Sequence, residues 1–280
     1  MRVNITGRAP LARRGEGLAV AAFLSSLALG LSSLSTLTLA AEDSPNWQQV
    51  LSVAAYFAEG DFGEPEDTRI AYFPISYELD RGRWGLQLTL PYLRLTGFDS
   101  VLVNVGGVTR AVASDVISTR AGSGDAVASL VYRLDPWSGS APFVDFRADV
   151  KLPTAAEREA LGTGELDYSL QVDVSQSLNQ TLAFATLGYT VRGGSPLYVG
   201  LKNGAFAQLG AGQPLTDSVD AGIYYEFRES ASVLSPEVHE LVPYFSWQLD
   251  ESWSFIGLTS WGLTDASADF AVLGQLRYSW

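Results

Sequence analysis

Residues 144–153, VDFRADVKLP, alternate with a period of two. Val144, Phe146, Ala148, Val150 and Leu152 fall on one side, and Asp145, Arg147, Asp149 and Lys151 on the other. Successive side chains of an extended chain point to opposite faces, so this is a β-strand with one apolar face and one face bearing four charges. Such a strand has two stable settings. Its apolar face meets a protein core and its charges meet bulk water, or the apolar face meets lipid and the charges line an enclosed lumen. The rest of the chain discriminates between them.

The pattern recurs along the whole chain. Twelve segments alternate in this way: 47–59, 68–79, 83–95, 124–134, 142–153, 165–177, 181–192, 203–214, 218–229, 240–249, 253–264 and 269–280. In the third, Leu86, Leu88, Leu90 and Tyr92 oppose Gln87 and Thr89; in the sixth, Leu166, Tyr168, Leu170, Val172 and Val174 oppose Glu165, Asp167, Gln171 and Asp173. The eleventh segment alternates too weakly to assign an outer face. The links alternate in length: DRG, DPWSGS, NQT, LTD and DES are short and turn-like, whereas GDFGEPED, the run 96–123, TAAEREALGTG, GGSPLYVGLK and SASVLSPEVH are long and polar. Short turns at one end and long loops at the other are the mark of an outer-membrane barrel. The fold class expected is therefore all-β: a transmembrane, antiparallel, up-and-down β-barrel of twelve strands.

Aromatic placement is an independent check. If the first strand rises from the periplasm, Trp47, Trp84 and Trp253 start rising strands, Trp247 and Trp280 end descending ones, and Trp137 sits in a short turn. Tyr77, Tyr132 and Tyr278 join them at that rim, while Tyr92, Tyr168, Tyr189 and Tyr225 fall at the other. Indole and phenol rings favour the headgroup level, where an apolar body and a polar tip are both satisfied. The final stretch VLGQLRYSW resembles the C-terminal signal by which outer-membrane proteins are recognised for assembly, with Tyr278 and Trp280 as its aromatic residues. That resemblance implies periplasmic chaperones and the barrel-assembly machinery as partners, beside outer-membrane lipid itself.

The domain division expected is a secretory signal peptide over 1–40 and the barrel domain over 41–280. Four arginines precede an uncharged stretch, GLAVAAFLSSLALGLSSLSTLTLA, which closes on small residues at the cleavage positions. The alternative is an uncleaved anchor, since Gly17 to Ala41 is long enough to span a bilayer. The formal charge is −13, and because residues 1–40 carry four arginines against Glu16, the remainder stands at −16. A chain this acidic has no electrostatic footprint for nucleic acid. With no cysteine and a single histidine, His239, neither a disulfide framework nor a Cys/His metal site is available.

The charged faces make the lumen the candidate site. Alternation turns Asp125, Arg133, Asp145, Arg147, Asp149, Lys151, Asp167, Asp173, Asp220, Glu226 and Arg228 inward, together with Arg192. With Glu165 at the rim this is eight acidic residues against five basic ones, an excess that favours cations weakly and lets neutral solutes pass. Cross-strand pairing of Arg147 and Lys151 with Asp125, Asp167 or Asp173 is expected. No catalytic residue and no cofactor is expected; His239 reads as a rim histidine beside a carboxylate. The function expected is an outer-membrane channel or transporter for passive or facilitated uptake of small solutes. The alternatives are a structural or loop-mediated interaction barrel and, last, a lipid-modifying enzyme of the outer membrane.

The segments YFPISYELDRGRWGLQLTLPYLRLTG, SGDAVASLVYRL, ADVKLPT, LGTGELDYSLQVDVSQSL and FATLGYTVRG resemble the proteobacterial outer-membrane transporter family named for the meta pathway of phenol degradation. The resemblance runs from Trp47 to Trp280. It implies a barrel in the cell outer membrane of a Gram-negative bacterium and, as cargo, aromatic or other small hydrophobic compounds. It assigns no substrate-binding residue.

Overall fold

The computed structural model describes residues 47–99, 101–104, 107–110, 116–138, 140–155, 161–195 and 200–280. The expected signal segment lies outside them. Fifteen strands run in chain order: β1 (Gln48–Gly60), β2 (Thr68–Arg81), β3 (Trp84–Phe98), β4 (Val101–Asn104), β5 (Gly107–Arg110), β6 (Ile117–Ser123), β7 (Ala126–Leu134), β8 (Phe143–Leu152), β9 (Asp167–Leu178), β10 (Thr181–Val191), β11 (Gly204–Pro214), β12 (Val219–Arg228), β13 (Val238–Gln248), β14 (Trp253–Gly262) and β15 (Phe270–Ser279). Each wall strand pairs antiparallel with the next, and β15 returns to β1 in register from Val50↔Ser279 to Glu59↔Phe270. The sheet is closed. Closure leaves no unpaired edge, which is the condition for a sheet to cross lipid.

Twelve wall positions accommodate these strands because β6 and β7 share one. β7 pairs with the first half of β3, up to Thr89↔Val127, and β6 with the second half, from Tyr92↔Ser123. Between those pairs β3 spends Leu90 and Pro91 while the partner spends Gly124, Asp125 and Ala126. One extra residue on one side is a β-bulge, which bends the strand and re-aims a side chain. The sequence reading runs 124–134 as one strand and leaves 96–123 as a loop. In the structure β3 continues to Phe98, β6 pairs with that extension, and the small β4–β5 hairpin occupies part of the intervening link.

Tight turns make four of the five links at the end that carries both termini of the barrel, 135–142 being the longer one. Gly82 (φ 56°) and Asn179 (φ 61°) adopt the left-handed conformation in the β2–β3 and β9–β10 turns, as residues that tolerate it. The other links at that end are 135–142, 215–218 and 249–252, against 61–67, 99–116, 153–166, 192–203, 229–237 and 263–269 at the opposite end. Outward side chains form a continuous apolar belt that includes Leu88, Leu170, Leu187 and Leu209. On β14 the outer face is Trp253, Phe255, Gly257, Thr259 and Trp261, since Ile256, Leu258 and Ser260 are buried inside.

Candidate functional site: the barrel lumen

The strict alternation of β8 places Arg147, Asp149 and Lys151 inside, all buried, with Asp145 inward at the opposite end of the strand. Lys151 is the most buried cation among the described residues. Its Nζ lies 2.9 Å from Asp125 Oδ2 and 3.1 Å from Asp167 Oδ2, and it donates to Thr163 Oγ1 at 2.6 Å. The bulge is what turns Asp125 toward it. Both carboxylates hold loop backbone with their second oxygens: Asp125 accepts from Ala155 N (2.9 Å) and Asp167 from Gly193 N (2.8 Å). Ser195 Oγ donates to the Thr163 carbonyl at 2.9 Å, joining the two links. One lysine thus ties the β8–β9 and β10–β11 links across the mouth at the end with the long links. Leu161 follows them inward and packs in the same apolar cluster as Phe62 and Ala268 from two further links.

Below this cluster, Arg147 Nε pairs with Asp149 at 2.8 Å, and its Nη2 donates to Gln87 Oε1 (3.0 Å) and Ser129 Oγ (2.7 Å). Asp173 accepts from Gln171 (2.9 Å) and Thr186 (2.6 Å). On β12 and β13, Arg228 bridges Glu226 (3.2 Å) and Glu240 (3.0 Å), and Gln208 donates to Glu226 at 3.0 Å. Toward the end with the short turns Arg133 pairs with Asp80 (2.6 Å) and Glu78 (3.4 Å), while Arg277 reaches Glu78 at 3.5 Å. Arg133 and Asp80 are 27% and 18% exposed, against 1% for Lys151. The lumen is therefore more open at the end with the short turns than at the end with the long links. Asp220 is half-buried on the inner face of β12, and Arg192, beyond β10, donates to the Lys202 carbonyl.

The opposite wall has different chemistry. Tyr56, Tyr72, Val242, Tyr244, Ile256, Leu258 and Leu273 are buried from β1, β2 and β13–β15, with Phe184 and Tyr224 beside them. The rings of Phe184, Tyr224 and Tyr244 lie 6.2–6.3 Å apart. Gly222 permits this, because a Cβ there would stand 2.4 Å from Tyr244 Oη. The buried hydroxyls of Tyr72, Tyr244 and Ser260 have no hydrogen-bond partner among the described residues. Buried polar groups left in this way are uncommon.

Sequence reasoning missed Glu78, Asp80, Glu240 and Arg277, which add to the inward charges and keep the acidic excess. Alternation counted from Tyr77, Leu241 and Tyr278 would have found them. It could not have found the apolar wall. On β1 both faces are apolar, Ala54 and Tyr56 inside and Val53 and Phe57 outside, so a period of two carries no contrast.

The outer surface carries aromatic rings at both rims. Trp84 packs on Tyr132 and Trp253 on Tyr278 (each 4.7 Å), and Tyr278 stacks on Trp280 at 5.3 Å. Trp280 and Gln49 exchange backbone hydrogen bonds of 3.1 Å, closing the wall at its last residue. His239 points outward at the rim with the long links. Its ring pairs with the Tyr225 hydroxyl, lies 5.2 Å from Phe227 and stands 3.6 Å from Glu237. At that rim partial desolvation, followed by Asp61, Asp67, Asp265 and Glu59, pushes the Asp269 carboxyl above its usual range. Asp61, Asp67, Asp265 and Asp269 with Glu59 make this rim acidic.

No family model matches the chain, and no curated protein matches its sequence. Solved structures do. KdgM porin superposes with a TM-score of 0.50 at 7% identity, covering 82% of this chain and 99% of that one. The transport unit of the autotransporter AIDA-I from Escherichia coli gives 0.49 at 7% identity, covering 88% and 94%. The CymD monoaromatic hydrocarbon channel gives 0.44 at 9% identity, covering 83% and 87%. The likeness to KdgM establishes the fold: this chain is a closed antiparallel barrel of the outer-membrane type.

Proposed function

We propose that this barrel is a channel for small solutes in the outer membrane of a Gram-negative bacterium, held closed at its extracellular mouth in the state described. The observation that carries the reading is the two-sided lumen. A hydrogen-bonded ionic wall on β7–β9 faces an apolar, aromatic wall bearing unpartnered hydroxyls. Such a passage suits uncharged molecules with an apolar body and a polar group, because pockets of this kind bury the body and orient the rest through a few polar contacts. Small aromatic or hydrophobic compounds fit that description, in keeping with the resemblance to the meta-pathway transporter family. Burial of the inward side chains at mid-height favours the second reading, a structural barrel that acts through its loops.

Conductance separates the two. The double variant Thr163→Val, Ser195→Ala removes the hydrogen bonds that join the two links to each other and to Lys151, leaving the ion pairs in place. In planar bilayers it is expected to conduct severalfold more than the wild type. If both proteins stay silent and neither releases small aromatic solutes from proteoliposomes, the structural reading holds. Hydrolysis of phospholipid by the purified protein would instead favour a lipid-modifying barrel.

Tyr278 and Trp280 are proposed to serve assembly as well as closure. Trp280→Asp is expected to lower the amount of barrel recovered in the outer membrane and to leave precursor in the periplasm, measured by fractionation. Normal yield would remove Trp280 from that role.

A further inference from the structure

The outer wall is not evenly convex. A groove of about 600 Å³ crosses it from Trp84 and Tyr132 to Tyr189 and Ala205. Its floor is the registered row Arg147↔Gln171↔Gly188, whose side chains belong to the inner face, so backbone is what meets the outside. One bank is Phe146↔Val172↔Leu187 and the other is Ala148↔Leu170↔Tyr189. The banks are two residues apart along each strand, about 7 Å, and the groove spans five strand intervals, roughly 24 Å. Because strands of such barrels tilt by about 35–45°, a line drawn across them climbs diagonally. This one starts at the periplasmic aromatic rim and ends at the extracellular one.

We propose that the groove seats one acyl chain of a phospholipid from the periplasmic leaflet, with the phosphate held at Arg81 and Arg83. The inference rests on the barrel spanning a membrane and is independent of whether it conducts. A trough one inward residue wide, with apolar banks along its length, has the width of a single hydrocarbon chain. Charge points the same way. The chain is acidic, with 18 basic residues against 31 acidic ones, yet two arginines flank Trp84 at the periplasmic end of the groove. Arg83 reaches the hydroxyl of Tyr132, a lining residue, at 3.5 Å and also bonds Asp135, and Arg81 lies over the Trp47 ring at 5.5 Å. Guanidinium groups at headgroup level beside aromatic anchors are suited to phosphate. The floor needs Gly188, where a Cβ would meet the Phe206 ring at 2.1 Å inside the wall.

The test is native mass spectrometry of the full-length barrel after incubation with vesicles of phosphatidylethanolamine and phosphatidylglycerol, followed by detergent exchange. The wild type is expected to keep one phospholipid per barrel. Ala148→Trp, which fills the trough, should abolish retention, and the double variant Arg81→Gln, Arg83→Gln should weaken it at least tenfold. Heat-dependent gel mobility verifies that each variant has folded. Equal retention by all three proteins overturns the proposal. So does recovery of the wild type as lipid-free pairs that Ala148→Trp separates, which would make a second copy the occupant.

Discussion

Lys151→Met lowers the unfolding free energy of the barrel by about 3–5 kcal/mol, the range for removing one partner from a buried ion pair. The size follows from what remains. Asp125 and Asp167 are almost fully buried, and Lys151 is the cation paired with each of them in the structure. Removing the ammonium leaves two carboxylates facing each other away from water, and each also holds a loop amide that anchors a link over the mouth. The measurement is a urea midpoint in lipid or detergent, read from the girdle tryptophans. The triple variant Lys151→Met, Asp125→Asn, Asp167→Asn should recover most of the loss, since uncharged amides remove the mutual repulsion. A midpoint unchanged by Lys151→Met would mean that the carboxylates are solvated and the mouth is open.

Leu88→Arg is the second large effect. Leu88 lies outward on β3, halfway between Trp84 in one aromatic rim and Tyr92 in the other, and is 43% exposed to what surrounds the barrel. An arginine there enters the hydrocarbon near mid-depth, at a cost of about 2–4 kcal/mol that falls to about 0–1 near the interfaces. Leu215→Arg in the β11–β12 turn, where Leu215 is already exposed, supplies the interfacial comparison. Equal costs at the two sites would mean that the outer face of β3 does not meet lipid.

The neighbouring residue shows where reading by pattern stops. Alternation turns Gln87 inward, and from that alone an arginine at 87 looks cheap. In the barrel Gln87 is buried and accepts a hydrogen bond from Arg147. A second guanidinium would face the first, with only Asp149, already paired to Arg147, as the carboxylate in this network. Facing was legible, and so was the pairing of Lys151 with Asp125 and Asp167; the partner of Arg147 was not, since it pairs with Asp149 of its own strand rather than with Asp125, Asp167 or Asp173.

The sequence by itself determined that the chain is a barrel, which residues of VDFRADVKLP face outward, and where the two aromatic rims lie. Each of these depends on a local rule: a period of two, a turn residue, or an aromatic ring at a strand end. Apart from the pairing of Lys151 with Asp125 and Asp167, the tertiary structure decided what meets inside. The extra residue that turns Asp125 toward Lys151 emerges from counting across two paired strands. The descent of Leu161 and Thr163 into the mouth depends on contacts between links far apart in the chain. The apolar wall is built by β1, β2 and β13–β15, and in β1 alternation is silent because both faces are apolar. Alternation specifies in or out, one bit per residue. Which inward side chains share a level across the lumen depends on strand tilt and register around a closed ring, and those are set once β15 has paired with β1.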